Sequence, residues 1–189
     1  FTFDDGSASQ AAFGPDGTID PASAVGIMLE FAKTHPGFEP AGTFYVNGDP
    51  FQAGGDRAAL LAWLVDNGFE IGNHTHDHTN LSTLSADEVQ RQFVLAQRII
   101  HDALPDSEVV TMALPFGVMP EPASLALEGS WDGESYAFKG VMLVGANPSA
   151  SPYSAEFDAA AIPRIRSSPP SENVENGSSY WLDVFAGNP

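Results

Sequence analysis

Short apolar segments alternate with longer amphipathic segments along most of the chain. The short segments have the length and the aromatic and β-branched content of strands, whereas the longer ones repeat apolar residues at helical spacing. Helices that alternate with strands favour a parallel sheet or barrel with the helices outside. The predicted strands lie at 1–3, 41–46, 69–72, 109–114, 140–144 and 162–165.

Capping residues give the bounds of the first two predicted helices. Asp20-Pro21 is typical of an N-cap followed by the first helical position, and the helix it opens ends near 35–37. Asp56 caps a second helix, which Gly68 ends. The inward-facing residues of this second helix are Leu60, Leu61, Leu64 and Val65.

The remaining segments comprise two further helices and two long loops. A capping box at 85–88 opens a helix with one continuous apolar stripe, and Tyr180–Phe185 is the last predicted helix. Residues 117–139 and 145–161 are rich in proline, glycine and serine, which indicates long loops. The chain of 189 residues is predicted to form a single domain spanning 1–189.

Composition narrows the class of protein and its partners. The chain contains 25 acidic and seven basic residues, and a net charge of -18 would repel nucleic acid and anionic membrane surfaces. A solubilising surface is the simpler interpretation of this charge, and recruitment of a cationic polymer is the alternative. No apolar run reaches the ~20 residues needed to span a membrane. No signal peptide is visible, although an export segment could precede a chain that starts within a predicted strand.

Chemically active residues follow three of the predicted strands. Asp4 and Asp5 follow the first strand, His74 and His78 follow the third, and Pro115-Phe116-Gly117 follows the fourth. In parallel α/β folds, active sites lie at the C-terminal ends of the strands. The periodicity therefore predicts that these three segments meet at one rim.

The residue types at this rim suit a divalent metal ion. One carboxylate and two imidazoles form the three-ligand set of catalytic zinc sites, with cobalt or nickel as alternatives to zinc. Adjacent carboxylates on an extended chain cannot point the same way, so Asp5 could bind the metal while Asp4 stays free as a general base. Asp-Asp-Gly alone is more often a structural turn, and a histidine-rich exposed loop is the alternative for His74–His78. The combination of both motifs at strand ends favours the metal site.

These motifs resemble those of the NodB-homology polysaccharide deacetylases, carbohydrate esterase family 4. Thr2–Gly6 matches the family's T-F-D-D-G motif whole, and His74–His78 matches H-[ST]-x-x-H. The resemblance implies that Asp4 is the catalytic base and that Asp5, His74 and His78 bind one metal ion. It also implies a distorted (β/α) barrel, here incomplete or open because only about six strands are predicted.

The chain departs from the family pattern at two places. Alanine stands at position 113, where the family's R-x-P-[YF]-G motif has an arginine that orients the catalytic aspartate, as in a subgroup with L-P-[YF]-G. Arg164 could supply the guanidinium from another direction, with an ordinary surface ion pair as the alternative. The family's later histidine acts as general acid on the leaving amine, but no histidine follows His101. His76 is a weak substitute.

The resemblance implies a hydrolase that removes acetyl groups from an N-acetylglucosamine polysaccharide such as peptidoglycan or chitin. Two alternatives share the same residues: an O-acetyl xylan esterase, and a catalytically weak carbohydrate-binding or cell-wall protein that keeps the metal site. An extracellular or cell-surface location is expected, and the sequence leaves the oligomeric state open. The candidate substrate-binding residues are Pro115, Phe116, Gly117, Arg164 and Trp181. Tyr45 is expected to pack in the core.

Overall fold

The computed structural model describes residues 1–145, 147–168 and 176–187. Within these residues the strands are β1 (Thr2–Phe3), β2 (Thr43–Val46), β3 (Glu70–Asn73), β4 (Thr111–Ala113), β5 (Glu128–Trp131), β6 (Glu134–Ala137) and β7 (Gly140–Met142). The α-helices are α1 (Ala24–Thr34), α2 (Arg57–Asp66), α3 (Ala86–Ala103) and α4 (Ser178–Phe185). Short 3₁₀ turns occupy Pro50–Gln52, Gly54–Asp56, Leu81–Thr83, Pro115–Gly117 and Ala123–Ala126.

Five of the strands form one parallel sheet. Its order is β1-β2-β3-β4-β7, and each neighbouring pair is parallel. The helices α1, α2 and α3 connect the first four strands in turn, which is the arrangement of a (β/α) barrel. Among the described residues β1 and β7 are at opposite edges and do not pair. The predicted fold class, an open (β/α) barrel, is confirmed.

Apolar side chains fill the space between the sheet and its helices. From β2, Phe44 contacts the rings of Phe51 and Phe69 edge-on, with centroids 5.6 and 5.7 Å away. The predicted stripe of α3 lies in the core, where it buries Val89, Phe93, Ala96 and Ile100. Of the helices in the described residues, none combines the length and the apolar character that a membrane span requires.

Two helix predictions were wrong in detail. Helix α1 begins after Ser23, whose backbone is extended (φ -71°, ψ 160°) and whose hydroxyl accepts from Gly26 N at 3.1 Å. Asp20 instead stabilises the preceding turn by accepting from Ala22 N at 2.8 Å. In α2, Val65 is 37% exposed, because the buried face of this helix ends at Leu64.

The segment predicted as one long loop at 117–139 contains a β-hairpin. β5 and β6 pair antiparallel around Asp132 and Gly133, which have φ of 51° and 82°. Positive φ at both central residues is typical of a type I′ turn, for which Asp-Gly is a strong signal. The interpretation as loop was therefore wrong. The hairpin packs on α3, where Gln97 donates to the Ser135 carbonyl at 3.0 Å.

The strand predicted at 162–165 is reduced to a single parallel bridge. Ile162 pairs with Met142 of β7, and its carbonyl accepts from Leu143 N at 2.9 Å. Pro163 has no N–H, so regular pairing cannot continue past it. The prediction of loops at 145–161 agrees with the described part, residues 145 and 147–161, which contains no helix or strand, while Ala146 lies outside the described residues.

Gly72 allows the ring of Tyr45 to lie across the sheet. A Cβ at position 72 would lie 2.5 Å from Cδ1 and Cε1 of that ring, whose hydroxyl is 3.0 Å from Thr111 Oγ1. We predict that Gly72→Ala lowers the free energy of unfolding by ~1–3 kcal/mol, because the core must shift to admit the methyl group. Chemical denaturation measures this loss. Gly37→Ala is the control, since nothing lies within 4 Å of the added Cβ, and equal stability of the two variants would contradict the packing argument.

Candidate active site

Polar residues gather at the C-terminal end of the parallel sheet. Asp4 and Asp5 follow β1, His74 follows β3, and the turn Pro115–Gly117 begins shortly after β4. The strands are short and in register, so these chain reversals occur at one edge. The structure therefore brings together the three segments that the sequence pattern placed at one rim.

Asp5, His74 and His78 form a cluster of three possible metal ligands. Asp5 Oδ1 lies 3.3 Å from His74 Nε2 and 3.2 Å from His78 Nε2. One ligand atom from each residue lies within 4.8 Å of the other two. The side chain of His74 is only 2% exposed, whereas that of Asp5 is 60% exposed. The cluster thus has a buried wall and an open side.

The chemistry of His74 fits a metal ligand. Its Nδ1 donates a hydrogen bond to the Ala113 carbonyl at 2.8 Å, which leaves the Nε2 lone pair directed at Asp5 and His78. Burial lowers the pKa of His74, and the negative charge of Asp4 opposes this only in part, so the ring is neutral near pH 7. A backbone carbonyl that fixes the tautomer is the usual partner of a metal-binding imidazole. One carboxylate and two imidazoles suit zinc.

The side-chain amides of Asn73 and Gln92 fix the backbone between His74 and His78 by hydrogen bonds. Buried Asn73 accepts from Thr75 N at 2.9 Å and donates to the Phe93 carbonyl at 2.9 Å. Gln92 accepts from Asp77 N at 2.8 Å and donates to the Asp77 carboxylate at 2.7 Å. The hydrogen bond from Gln92, reinforced by His76, lowers the pKa of Asp77.

Asn73 and Gln92 were not identified as functional residues from sequence. Gln92 is 2% exposed on α3, beside the apolar stripe that includes Phe93. A polar residue on a buried helix face was the available signal, because such a residue needs a hydrogen-bond partner. The identity of that partner, fifteen positions away in the 74–78 loop, follows only from the fold.

Arg164 contacts the other carboxylate of the pair. Its Nη1 and Nη2 donate to the two oxygens of Asp4 at 2.7 and 2.6 Å, and its Nε donates to the Leu143 carbonyl at 2.7 Å. The side chains are 15% and 26% exposed, so this is a partly buried bidentate pair. The guanidinium also lies over the ring of buried Tyr45. The geometry is that of an oriented carboxylate rather than of an ordinary surface ion pair.

A tight turn separates Asp4 from Asp5. Asp5 and Gly6 have φ of 73° and 57°, which turns the chain sharply after β1. Gln10 donates from Nε2 to the Asp4 carbonyl at 2.6 Å and so fixes the start of the turn. Gln10 is another residue that the sequence motifs did not indicate. As a result, the two neighbouring carboxylates face different partners.

Phe116 stands beside the metal-ligand cluster. It has φ of 58°, is 60% exposed, and its ring centroid lies 4.7 Å from that of His78. Pro115 is buried, and a Cβ at Gly117, whose φ is 68°, would lie 3.0 Å from Cβ of Val144. Trp181 lies on α4, where its ring stacks on that of Phe185 with centroids 6.0 Å apart.

The other histidines are placed away from the three-residue cluster of Asp5, His74 and His78. His76 Nδ1 lies 2.6 Å from Asp77 Oδ1, and its ring is close to the backbone of Gly48. His35 stacks on Phe31, and His101 is in the last turn of α3. Among the described residues, the cluster of possible ligands contains only His74 and His78 as histidines.

Comparisons with known proteins identify relatives of this chain. Residues 37–128 match the sequence profile of polysaccharide deacetylases. A chitooligosaccharide deacetylase of Sinorhizobium fredii is 36% identical over 63 residues, which are 33% of this chain and 29% of that protein. The chain therefore matches less than a third of the length of this curated relative.

Solved structures of carbohydrate esterases are also similar. A CE4 family pseudoenzyme from Bacillus anthracis is 25% identical, with 66% of this chain and 38% of that chain covered and a TM-score of 0.48. Peptidoglycan deacetylase PdaC from Bacillus subtilis is 26% identical, with coverages of 65% and 50% and a TM-score of 0.46.

Gln92 offers a test of how the 74–78 loop is supported. We predict that Gln92→Leu weakens zinc binding about tenfold, the lower end of the typical effect of groups that orient ligands, because Asp77 loses both hydrogen bonds to this amide. Isothermal titration of the metal-free protein with zinc gives the affinity.

Gln97→Leu is the matched control for this variant. Gln97 is on the same helix and nearly as buried, but it bonds the hairpin carbonyl of Ser135. Both variants should lose ~1–3 kcal/mol of stability for a broken buried hydrogen bond, and only Gln92→Leu should lose zinc affinity. Equal zinc affinities in the two variants would rule out a role for Gln92 in the loop.

Proposed function

We propose that the chain, which matches the polysaccharide deacetylase profile over residues 37–128, is a metal-dependent hydrolase of N-acetylglucosamine polysaccharides. Chitin-like polymers and peptidoglycan are the proposed substrates. The observation that carries the proposal is the division of the Asp4-Asp5 pair. Asp5 lies in the cluster with the two imidazoles, whereas Asp4 forms an ion pair with Arg164.

One divalent ion, zinc in the first instance and otherwise cobalt or nickel, would be held by Asp5 Oδ1, His74 Nε2 and His78 Nε2. Such an ion, when bound, makes water more acidic and polarises a carbonyl. The three residues supply a neutral buried imidazole, a second imidazole and a carboxylate with one open side. Three protein ligands with an open position are typical of catalytic rather than structural zinc sites.

Asp4 is the proposed general base. Its two oxygens each accept one N–H from Arg164, and each keeps a further lone pair with which it can take a proton from water. The water oxygen forms a bond to the acetyl carbon, and its proton passes to Asp4. The backbone N–H of Phe116 is the proposed donor to the developing oxyanion, an interaction whose loss typically costs ~10²–10³ in rate.

Cleavage of the carbon–nitrogen bond also requires a proton on the leaving amine. Among the described residues, no third histidine joins His74 and His78 in the cluster to donate this proton. A second candidate function, removal of O-acetyl groups from xylan, needs less of this assistance because an ester departs more readily than an amide. A catalytically weak carbohydrate-binding protein is the third candidate, motivated by Ala113, which stands where the related motif has an arginine. An extracellular or cell-surface location is part of the proposal.

Acetate release from chitooligosaccharide and acetylxylan, measured with added zinc or cobalt, distinguishes the three candidates. We expect faster release from chitooligosaccharide, and loss of release when a chelator removes the metal. Faster release from acetylxylan would replace the proposal with the esterase. Binding of the oligosaccharides without acetate release from either would replace it with the binding protein.

Asp4→Asn tests the assignment of the base. We predict that turnover falls by about 10²–10⁴-fold, the usual contribution of general acid–base catalysis, while zinc still binds in a 1:1 ratio because Asp5, His74 and His78 are unchanged. Acetate assays and metal analysis measure the two quantities. Asp106→Asn removes an exposed aspartate elsewhere and should change neither. Near-normal turnover in Asp4→Asn would refute the assignment.

Arg164→Lys tests the orientation of Asp4. Lysine keeps the charge but cannot donate two parallel hydrogen bonds to one carboxylate. We predict that kcat falls at least about tenfold, with zinc stoichiometry retained. Arg91→Lys, in an i,i+3 pair with Glu88 on α3, is the control and should retain full kcat. An unchanged kcat in Arg164→Lys would show that the bidentate contact is not needed.

A further inference from the structure

A cavity of ≈ 250 Å³ opens beside Asp4, on the side of its contact with Arg164. Thr2 and Asp4 form one wall, Val144 and Gly145 another, and residues 164–167 the third. This volume is below the ~300–1,000 Å³ of pockets that enclose a drug-sized ligand, so the cavity suits one sugar unit or its substituent. Its position makes it a neighbour of the reacting centre rather than part of the metal-ligand cluster.

The cavity is cationic in a strongly acidic protein. Two of the seven basic residues of the chain, Arg164 and Arg166, line it, together with the single carboxylate of Asp4. Because Arg164 neutralises Asp4 through two hydrogen bonds, the described lining has the uncompensated positive charge of Arg166. A chain of net charge -18 repels anions over most of its surface.

Arg166 has no acidic partner among the residues that the structure describes. The other basic side chains with described ion pairs hold carboxylates at 2.6–2.9 Å, as Lys139 does with Glu108. Arg166 is exposed, and its backbone is anchored, since its carbonyl accepts from Ser178 N at 2.9 Å. Its guanidinium is therefore available on a fixed segment.

We propose that this cavity is a subsite for a carboxylate-bearing sugar unit next to the acetylated unit, with Arg166 as its specificity-determining residue. A guanidinium binds a planar carboxylate through two parallel hydrogen bonds. The carboxylate can belong to a uronic acid or to a lactyl ether on the sugar ring. The identity of the reacting sugar rests on the proposed function, whereas the preference for a carboxylate rests on the cavity alone.

Binding is tested with a matched pair of ligands that carry no acetyl group. Cellotetraose and its C6-carboxylated form differ only in the carboxylates, and the enzyme cannot deacetylate either. Titration calorimetry of the wild-type protein should show the acidic ligand binding at least about tenfold more tightly, the lower end of what a hydrogen bond to a charged group contributes. Added salt should reduce this preference.

Variants identify the responsible residue. Arg166→Gln should abolish the preference, and Arg166→Lys should keep part of it. Lys139→Gln changes the net charge equally at the start of β7, the opposite end of the sheet, and should retain the full preference. The proposal would be overturned if wild-type protein preferred the acidic ligand neither in this pair nor in a pair that differs by the lactyl ether of N-acetylmuramic acid, or if a preference survived Arg166→Gln.

A second pair distinguishes the two sources of the carboxylate. Chitotetraose is compared with a tetrasaccharide alternating N-acetylglucosamine and N-acetylmuramic acid, with a chelator present to suppress turnover. Preference for the muramyl ligand without preference for C6-carboxylated cellotetraose assigns the lactyl ether, and the reverse assigns a uronic acid. Absence of acetate release would refute the proposed function, but these binding results would still decide the subsite.

Discussion

The ion pair between Arg164 and Asp4 is the interaction on which the candidate active site depends. Asp4 and Asp5 are chemically identical neighbours, and without a selective partner either could join the histidines. Two hydrogen bonds of 2.7 and 2.6 Å commit Asp4 to the guanidinium. Asp5 is then the carboxylate left to face His74 and His78. Separating a partly buried ion pair leaves an uncompensated charge. The pair therefore disfavours any arrangement in which Asp4 turns away from Arg164 towards the histidines.

The arginine reaches this position from a distant part of the chain. It follows the bridge between Ile162 and Met142 at the edge of the sheet, and it is fixed by its bond to the Leu143 carbonyl. The close approach of this segment requires glycine at position 145, because a Cβ there would overlap the backbone carbonyl of Arg164. The edge of the open barrel thus contributes a residue to the centre of the site.

The backbone around the cluster adopts a conformation that most residues avoid. Of the eight described non-glycine residues with positive φ, four are Asp5, Thr75, His78 and Phe116. Such conformations cost of order 1–3 kcal/mol each and persist where the surroundings fix them. Here Gln10, Asn73 and Gln92 provide the fixing hydrogen bonds. The side-chain amides of these three residues therefore orient the backbone that carries the possible metal ligands.

Local sequence patterns predicted the alternating strands and helices, and they predicted that the site residues meet at one end of the sheet. Strand ends could be recognised from apolar runs, and parallel order follows from the alternation with helices, so the meeting of Asp5 with His74 and His78 was predictable. The hairpin around Asp132 was missed because its strands are half polar and lack an apolar run. The partner of Arg164 stayed open between two interpretations, since it lies 160 positions away. A contact between residues so far apart in sequence depends on where the segment at the sheet edge packs. The local spacing of apolar residues carries no information about that position.

Diffraction from a zinc-soaked crystal, recorded on both sides of the zinc absorption edge, tests the central claim most directly. The claim is that the two adjacent aspartates have separate roles. We predict one anomalous peak, in contact with Asp5, His74 and His78, with Asp4 still paired to Arg164. A zinc ion bound by Asp4, or one that displaces Arg164 from it, would contradict the account.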